Sequence, residues 1–329
     1  MGGFQRRGET RGPRAASGEA SLKLPETVRV IERGWLSANQ IVLHRESDAV
    51  VVDSGYGAHA AQTLALLDRA LEGRRLARLV NTHCHSDHMG GNAAIQGKYA
   101  CRTSIPEGEA PLIDRWDEQA LILAIADQRA ERFHYDDTFR GGDVLQMGGL
   151  RWQVLAAPGH DTHAVMFYSP EARVLISGDA LWENGFGVVF PQLFGRETAL
   201  AETRATLEAI AKLEVRTVIP GHGRPFGEAG AALERAFFRL EGYEEDIGRL
   251  ARHCAKAMLS FSLLEKRSMP LADLAAYVAR VPILNELNAR YLGMTPIRMA
   301  EWLANELERA GAAKRGGGLL VTRENDAQR

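Results

Sequence analysis

The chain has 329 residues, of which 45% are hydrophobic and 25% charged, and its formal net charge is −2. That composition is ordinary for a globular protein with one large domain, or with a large domain and a smaller one attached. The near-balanced charge argues against a broad footprint on nucleic acid or an anionic membrane.

Residues 1–24 begin "MGGFQRRGETRGPRAASGEAS", which is rich in Gly, Arg, Ser and Glu and has no apolar central run. They read as a disordered leader rather than a secretory signal. No later segment has the roughly 18 consecutive apolar residues of a membrane helix. The three cysteines, Cys84, Cys101 and Cys254, are too few and too scattered for a disulfide framework. They fit a reducing compartment, so a cytoplasmic protein is expected.

"NQIVLHR" (39–45) and "AVVVDSG" (49–55) are short and β-branched, and predict strands. "HAAQTLALLDRAL" (59–71) predicts an amphipathic helix, "ARLVNTH" (77–83) a strand, "GGNAAIQGKY" a helix and "YACRTSIP" a strand. Residues 107–132 predict a long helical stretch serving as a lid or flap. A hairpin is expected over 142–160, turning at "MGG" and ending at His160, and a second over 164–180, ending at Asp179. "ALAETRATLEAIAKL" predicts a helix and "VRTVIP" a strand leading into "GHG" (221–223). From about residue 230 the chain is expected to be mostly helical.

The stretch "VNTHCHSDHMGGNAA" (80–94) places His83, His85, Asp87 and His88 within six positions. Burying such groups without partners costs on the order of several kcal/mol each. A metal ion replaces the hydration they lose, and imidazole with carboxylate suits zinc or a similar first-row cation. His160, Asp179 and His222 stand at further strand ends, where a rigid scaffold can hold chemistry in place. Five histidines and two aspartates exceed one zinc site. They fit two metals about 3.5–4 Å apart, sharing a carboxylate.

The ordered set Asp53 in "VVDSG", "THCHSDH" at 82–88, His160 in "APGH", Asp179 in "SGDA" and His222 in "PGHG" resembles the metallo-β-lactamase superfamily over roughly residues 28–225. The resemblance implies an α+β fold, an αββα sandwich with a dinuclear site at one edge. It implies that His83, His85 and His160 hold one metal, that Asp87, His88 and His222 hold the other, and that Asp179 bridges. Asp53 corresponds to the acid that buttresses ligands by hydrogen bonds. The ligand types look like those of glyoxalase II, lactonases and ribonuclease Z. They imply two Zn2+ per chain, with iron or manganese as alternatives. The chemistry implied is hydrolysis of a small thioester, ester or lactone by a metal-bridging hydroxide, with Asp87 orienting it and passing a proton to the leaving group. An endoribonuclease or other phosphodiesterase is the first rival, and a non-catalytic metal-binding or regulatory protein the second.

Around this set, Cys84 is expected to pack away from the metals. His163 could line the substrate pocket or make a structural hydrogen bond. Trp182 and Phe186 could form an apolar pocket wall or simply core. Trp116 could face the site or anchor the flap. Asp161 departs from the frequent "GHTPGH" form of the loop at His160. Three parts are expected: the leader 1–24, a catalytic domain 25–229 and a helical C-terminal domain 230–329. The last resembles a winged-helix module of lactamase-like endoribonucleases. Its Lys and Arg only slightly outnumber its Asp and Glu, which favours packing, capping of a small-molecule substrate or a homodimer role over nucleic-acid contact.

Overall fold

The structure is a computed structural model, described for Leu22 and for residues 24–323. The expected leader, residues 1–24, lies outside the described residues except for Leu22 and Leu24. The first sheet joins β1 (Val28–Ile31), β2 (Gln40–Arg45), β3 (Asp48–Val52), β4 (Arg75–Val80), β5 (Arg102–Pro106) and β6 (Asp137–Phe139) in chain order. Its first three strands are antiparallel, and β3 to β6 are parallel. The second sheet runs β7 (Val144–Met147), β8 (Leu150–Ala156), β9 (Val165–Ser169), β10 (Val174–Gly178) and β11 (Thr217–Pro220). Its neighbours are antiparallel except the parallel pair β10 and β11.

Side chains on a strand alternate between faces, and both sheets use this to be buried on each side. Ile41 and Leu43 of β2 face the second sheet, where they join Trp152, Phe167, Ile176 and Ile219 in one core. Val42, between them, faces outward to pack with Leu67, Leu71 and Ile95. Likewise Val174 and Ile176 of β10 point inward, while Leu175 points out. Hydrophobic runs in these strands are therefore near-continuous, as expected where helices cover both outer faces.

The helices that cover the sheets and link their strands are α1 (Ala60–Leu71), α2 (Ser86–Met89), α3 (Asn92–Tyr99), α4 (Ala110–Arg115), α5 (Phe190–Leu193) and α6 (Ala199–Ala211). The expected long helix over 107–132 is not present. Only α4 and two short 3-10 turns occur there. Trp116, Ile122 and Asp127 adopt positive φ of 51°, 56° and 57°, and each stops a right-handed helix where it stands. The segment folds instead around its own small core of Trp116, Ile113, Leu121 and Leu123. Trp116 meets Phe133 edge-on at 6.1 Å, so it anchors the flap.

The C-terminal region comprises α7 (Ala229–Glu245), α8 (Ile247–Lys266), β12 (Ser268–Pro270), α9 (Leu274–Arg280), α10 (Pro282–Leu287), α11 (Pro296–Arg309), β13 (Ala313–Gly316) and β14 (Leu319–Thr322). The three strands form an antiparallel sheet in the order β12, β14, β13, an addition to the mostly helical region expected. The region does not stand apart. Leu240, Leu259 and Leu303 lie in the same hydrophobic core as Leu175 and Val218 of the second sheet. Asp127 of the flap accepts hydrogen bonds from Lys266 at 2.6 Å and the Tyr277 hydroxyl at 3.2 Å. No described helix is long and apolar enough to cross a membrane.

Candidate metal centre

β8 and β10 are both antiparallel to β9, so they run the same way, and β11 runs with them. Their C-terminal ends meet those of β3 and β4, and each end delivers a polar residue. Asp53 follows β3, His83 follows β4 by a short loop, Asp179 follows β10 directly, and His222 lies two residues past β11. β8 ends at Ala156 rather than at His160, and a loop carries the chain on to that histidine. The histidine run is compacted by the single turn of α2, in which the His85 carbonyl accepts from the amides of His88 and Met89, both at 3.0 Å.

The seven candidate ligands form three overlapping groups: His83, His85 and His160; His83, His88 and Asp179; and Asp87, His88 and His222. Within each group the ligand-type atoms lie within 4.8 Å of one another. The first and third groups have the same members as the two ligand sets that the resemblance implies, and Asp179 lies in the group between them.

The outer hydrogen bonds decide which nitrogens face inward. His88 Nδ1 donates to Asp53 Oδ2 at 2.9 Å, and Thr82 donates to the same carboxylate from its amide (2.8 Å) and hydroxyl (2.9 Å). His83 Nδ1 lies 3.1 Å from the Thr82 hydroxyl. His160 Nδ1 donates to the Val188 carbonyl at 2.6 Å, which turns its Nε2 toward His85 Nδ1, 2.8 Å away. The buried Nε2 atoms of His83 and His88 have no hydrogen-bond partner. Buried polar atoms in folded proteins are nearly always satisfied. Convergent, unpartnered imidazole nitrogens beside carboxylates are the donor set a zinc-like cation requires, so these residues fit such an ion.

The electrostatics point the same way. Burial, aided by the neighbouring imidazoles of His88, His85 and His160, holds His83 well below the usual histidine range, so it is neutral and able to ligate. Burial and His160 bring His85 down to about 4. Burial also opposes charge on His88, but Asp179, Asp53 and Asp87 together overcome it and raise its pKa well above the ordinary value. Burial would lift Asp179, yet His88 and His222 hold it well below the carboxylate range. His83 and His85 are thus neutral and Asp179 ionised, the protonation states in which such groups bind a cation.

His85, Asp87, His160, Asp179 and His222 of the cluster form the floor of a cavity whose wall includes Trp182. Trp182 Nε1 donates to Asp179 Oδ1 at 3.2 Å. The other two pocket candidates are placed elsewhere. Phe186 is buried in the core, with its ring 6.2 Å from Tyr243. His163 is exposed and packs so closely on Gly108 that a Cβ there would lie 2.2 Å from its Nδ1. Cys84 is buried in the flap core.

Three features escaped sequence reading. Trp35 is 55% exposed and stacks on His222, with centroids 5.5 Å apart and planes at 7°. Phe190 presents an edge to His85 at 5.5 Å. Glu109 is buried, and burial together with Asp161 raises its pKa well above the usual range. Asp161 Oδ2 in turn lies 3.6 Å from His85 Nε2. The departure at Asp161 was the available signal for that pair.

The family model described as the metallo-β-lactamase superfamily matches residues 33–222. A hydroxyacylglutathione hydrolase of Rhodopseudomonas palustris (strain HaA2) is 36% identical over 131 residues, 40% of this chain and 43% of that protein. The chain therefore spans less than half the length of that relative. A hydroxyacylglutathione hydrolase of Brucella ovis is 31% identical over 209 residues, 62% of this chain and 72% of that protein. Among solved structures, a metallo-β-lactamase family protein from Thermus thermophilus superposes with a TM-score of 0.55 at 21% identity, covering 92% of this chain and 100% of that one. A β-lactamase domain protein from Burkholderia ambifaria gives 0.53 at 20% identity, covering 94% and 97%.

Proposed function

The chain belongs to the metallo-β-lactamase superfamily and has its fold, with a helical C-terminal region, and on that premise we propose that it is a dinuclear metal-dependent hydrolase of a small carbonyl substrate: a thioester, an ester or a lactone. The observation that carries this reading is the set of three overlapping ligand groups, five of whose seven members (His85, Asp87, His160, Asp179 and His222) line one cavity. We assign His83, His85 and His160 to one cation, Asp87, His88 and His222 to the other, and Asp179 to both. The donors suit zinc, and also iron or manganese. Bound there, such cations supply Lewis acidity toward a carbonyl oxygen and bring the pKa of water toward neutrality.

The chain's own groups do the positioning. Asp87 sits on the cavity floor with its Oδ2 3.0 Å from His222 Nε2, and it stays ionised because His88 and His222 outweigh its burial. In hydrolysis the water oxygen bonds to the carbonyl carbon and the bond to the leaving oxygen or sulfur breaks. The proton passes to the leaving group, and we assign that transfer to the Asp87 carboxylate. Asp53 orients His88, and Trp182 orients Asp179. The names of the two relatives support thioester cleavage within this class.

We read residues 25–229 as the catalytic domain and 230–329 as a winged-helix-type unit. The order α8, β12, α9 to α11 and the hairpin of β13 and β14 supports that reading. Because α8 borders the cavity, a substrate-capping role is favoured for this unit. A cytoplasmic location belongs to the same proposal, supported by three free, buried cysteines.

Elemental analysis of the purified protein, run with a thioester, a lactone, an aryl ester, nitrocefin and a bis-aryl phosphodiester, tests the reading. About two metals per chain with carbonyl cleavage is the expected result. Cleavage of the phosphodiester alone would replace the reading with a phosphodiesterase. Absence of metal after reconstitution would overturn it.

A further inference from the structure

The cavity above the ligand cluster has a volume of about 160 Å3 and two chemically opposed sides. Its floor is the cluster itself. Facing the floor, Met258, Phe261 and Leu264 of α8 recur every three residues and so share one helix face. Ile122 of the flap, Val188 and Phe190 complete the apolar lining. At the rim, Trp35 lies flat on His222, and Trp182 meets Trp35 edge-on at 5.3 Å. Among the described residues that line the cavity, none is a lysine or an arginine, and the only carboxylates are Asp87 and Asp179.

That lining discriminates by charge. A carboxylate on a substrate is recognised by guanidinium or ammonium donors, most tightly by the paired N–H groups of arginine. A glutathione conjugate carries carboxylates at neutral pH, and beyond the groups assigned to the cations the lining offers them no lysine or arginine, only the neutral Gln128 and Ser260 beside apolar surface. An apolar group is accommodated well. A closed apolar cavity of ~150 Å3 accepts a molecule the size of benzene.

Resting on the hydrolase reading above, we propose that this cavity is the acyl pocket and that the substrate is a neutral ester or thioester of an aromatic or short aliphatic acid. The acyl group lies against the α8 face, with its carbonyl carbon over the ligand cluster. Water adds its oxygen to that carbon, the bond to the leaving oxygen or sulfur breaks, and the leaving group departs with the proton. Specificity then resides in Phe261 and Leu264, which belong to the C-terminal region rather than to the sandwich.

The test uses the metal-loaded enzyme. Thiophenyl esters of acetate, butyrate and benzoate are compared with S-lactoylglutathione. In parallel, binding of benzamide, a neutral ring-bearing amide, is followed through the fluorescence of Trp35 and Trp182. Each methylene carried into the wall is worth about fourfold, so kcat/KM should rise about tenfold or more from acetyl to butyryl and benzoyl. S-lactoylglutathione should lie at least about tenfold below butyryl, for want of a cationic partner. Leu264→Trp fills the pocket and should lower the benzoyl-to-acetyl ratio about tenfold with metal content unchanged. Where that variant does not fold, Phe261→Ala serves instead, and should shift the preference to longer acyl groups. Equal kcat/KM across the acyl series, or a preference for S-lactoylglutathione, overturns the acyl pocket and leaves the hydrolase reading standing. Benzamide quenching without hydrolysis of any ester or thioester supports the pocket and overturns the hydrolase reading. Neither quenching nor hydrolysis overturns both.

Discussion

His88 Nδ1 donates to Asp53 Oδ2 at 2.9 Å, and this pairing determines which nitrogen of His88 is left for a cation. Nε2 is the remaining one, 3.4 Å from Asp179 Oδ1. Asp53 is itself at φ 59°, in the left-handed region that Asp and Asn tolerate better than most residues. Asp53→Asn therefore tests the hydrogen bond with little change in backbone preference. Its amide nitrogen would take the place of one carboxylate oxygen and face a donor there, the Thr82 amide at Oδ1 or His88 Nδ1 at Oδ2, so the arrangement of three donors around one acceptor is lost. Metal affinity should fall about 10- to 100-fold, the usual cost of losing a ligand's outer partner. Competition with a chelator of known affinity measures it, and unchanged affinity would deny Asp53 that role.

What could be read from the sequence, and what could not, divides along a physical line. The candidate ligands were legible because each sits in a short local pattern at a strand end or in the loop or turn just beyond one, and β-branched runs mark the strands. The flap was not. Its apolar spacing resembles a helix, and nothing in the residue types of Trp116, Ile122 or Asp127 announces a positive φ. Trp182 and Phe186 look equivalent in sequence, yet one borders the cavity and the other is core, because the chain turns between them at the bridge of Trp182 with Gly185. Trp35 and His222 are far apart in the chain, so only the folded sandwich brings them into contact. The pattern of α8 shows an apolar face, but not that Phe261 and Leu264 meet the site while Leu250 and Leu259 meet the core.

Asp179→Ala removes a carboxylate that approaches three imidazoles: His88 at 3.4 Å, His160 at 3.5 Å and His222 at 3.9 Å. The surrounding core is unaffected, so the circular dichroism spectrum should remain that of the folded protein. Metal content should fall below two per chain, and hydrolysis by at least about 100-fold. Full hydrolysis by this variant would remove the shared carboxylate from the proposed mechanism.

Gly221→Ala probes the site without changing any of the seven candidate ligands. A Cβ at this position would lie 2.3 Å from Asp179 Oδ1 and 2.9 Å from His88 Cε1, both too close for a van der Waals contact. Two candidate ligands would have to move, and looseness of about 1 Å is enough to disable a metal site. Loss of affinity of about 10-fold or more is expected from equilibrium competition. An Ala variant that binds metal as tightly as the parent would mean that the cluster has more room than this geometry allows.

His253 provides a test of pH dependence away from the metal centre. The Tyr243 hydroxyl lies 2.5 Å from its Nδ1. Burial, with smaller effects from Arg239 and Lys256, depresses its pKa from 6.5 to about 4. The unfolded chain therefore takes up this proton before the folded one does. The stability this group contributes is complete above pH 6.5 and is lost as the pH falls from there toward 4. Over the interval the loss approaches about 3 kcal/mol, of which about 2 kcal/mol has gone by pH 5. His253→Gln has no such proton to bind. Urea denaturation at pH 7.5 and pH 5 should show the parent losing about 2 kcal/mol more than the variant. The protonation of other groups is common to both proteins and cancels in that difference, so parallel losses would mean that His253 titrates alike in the folded and unfolded chains.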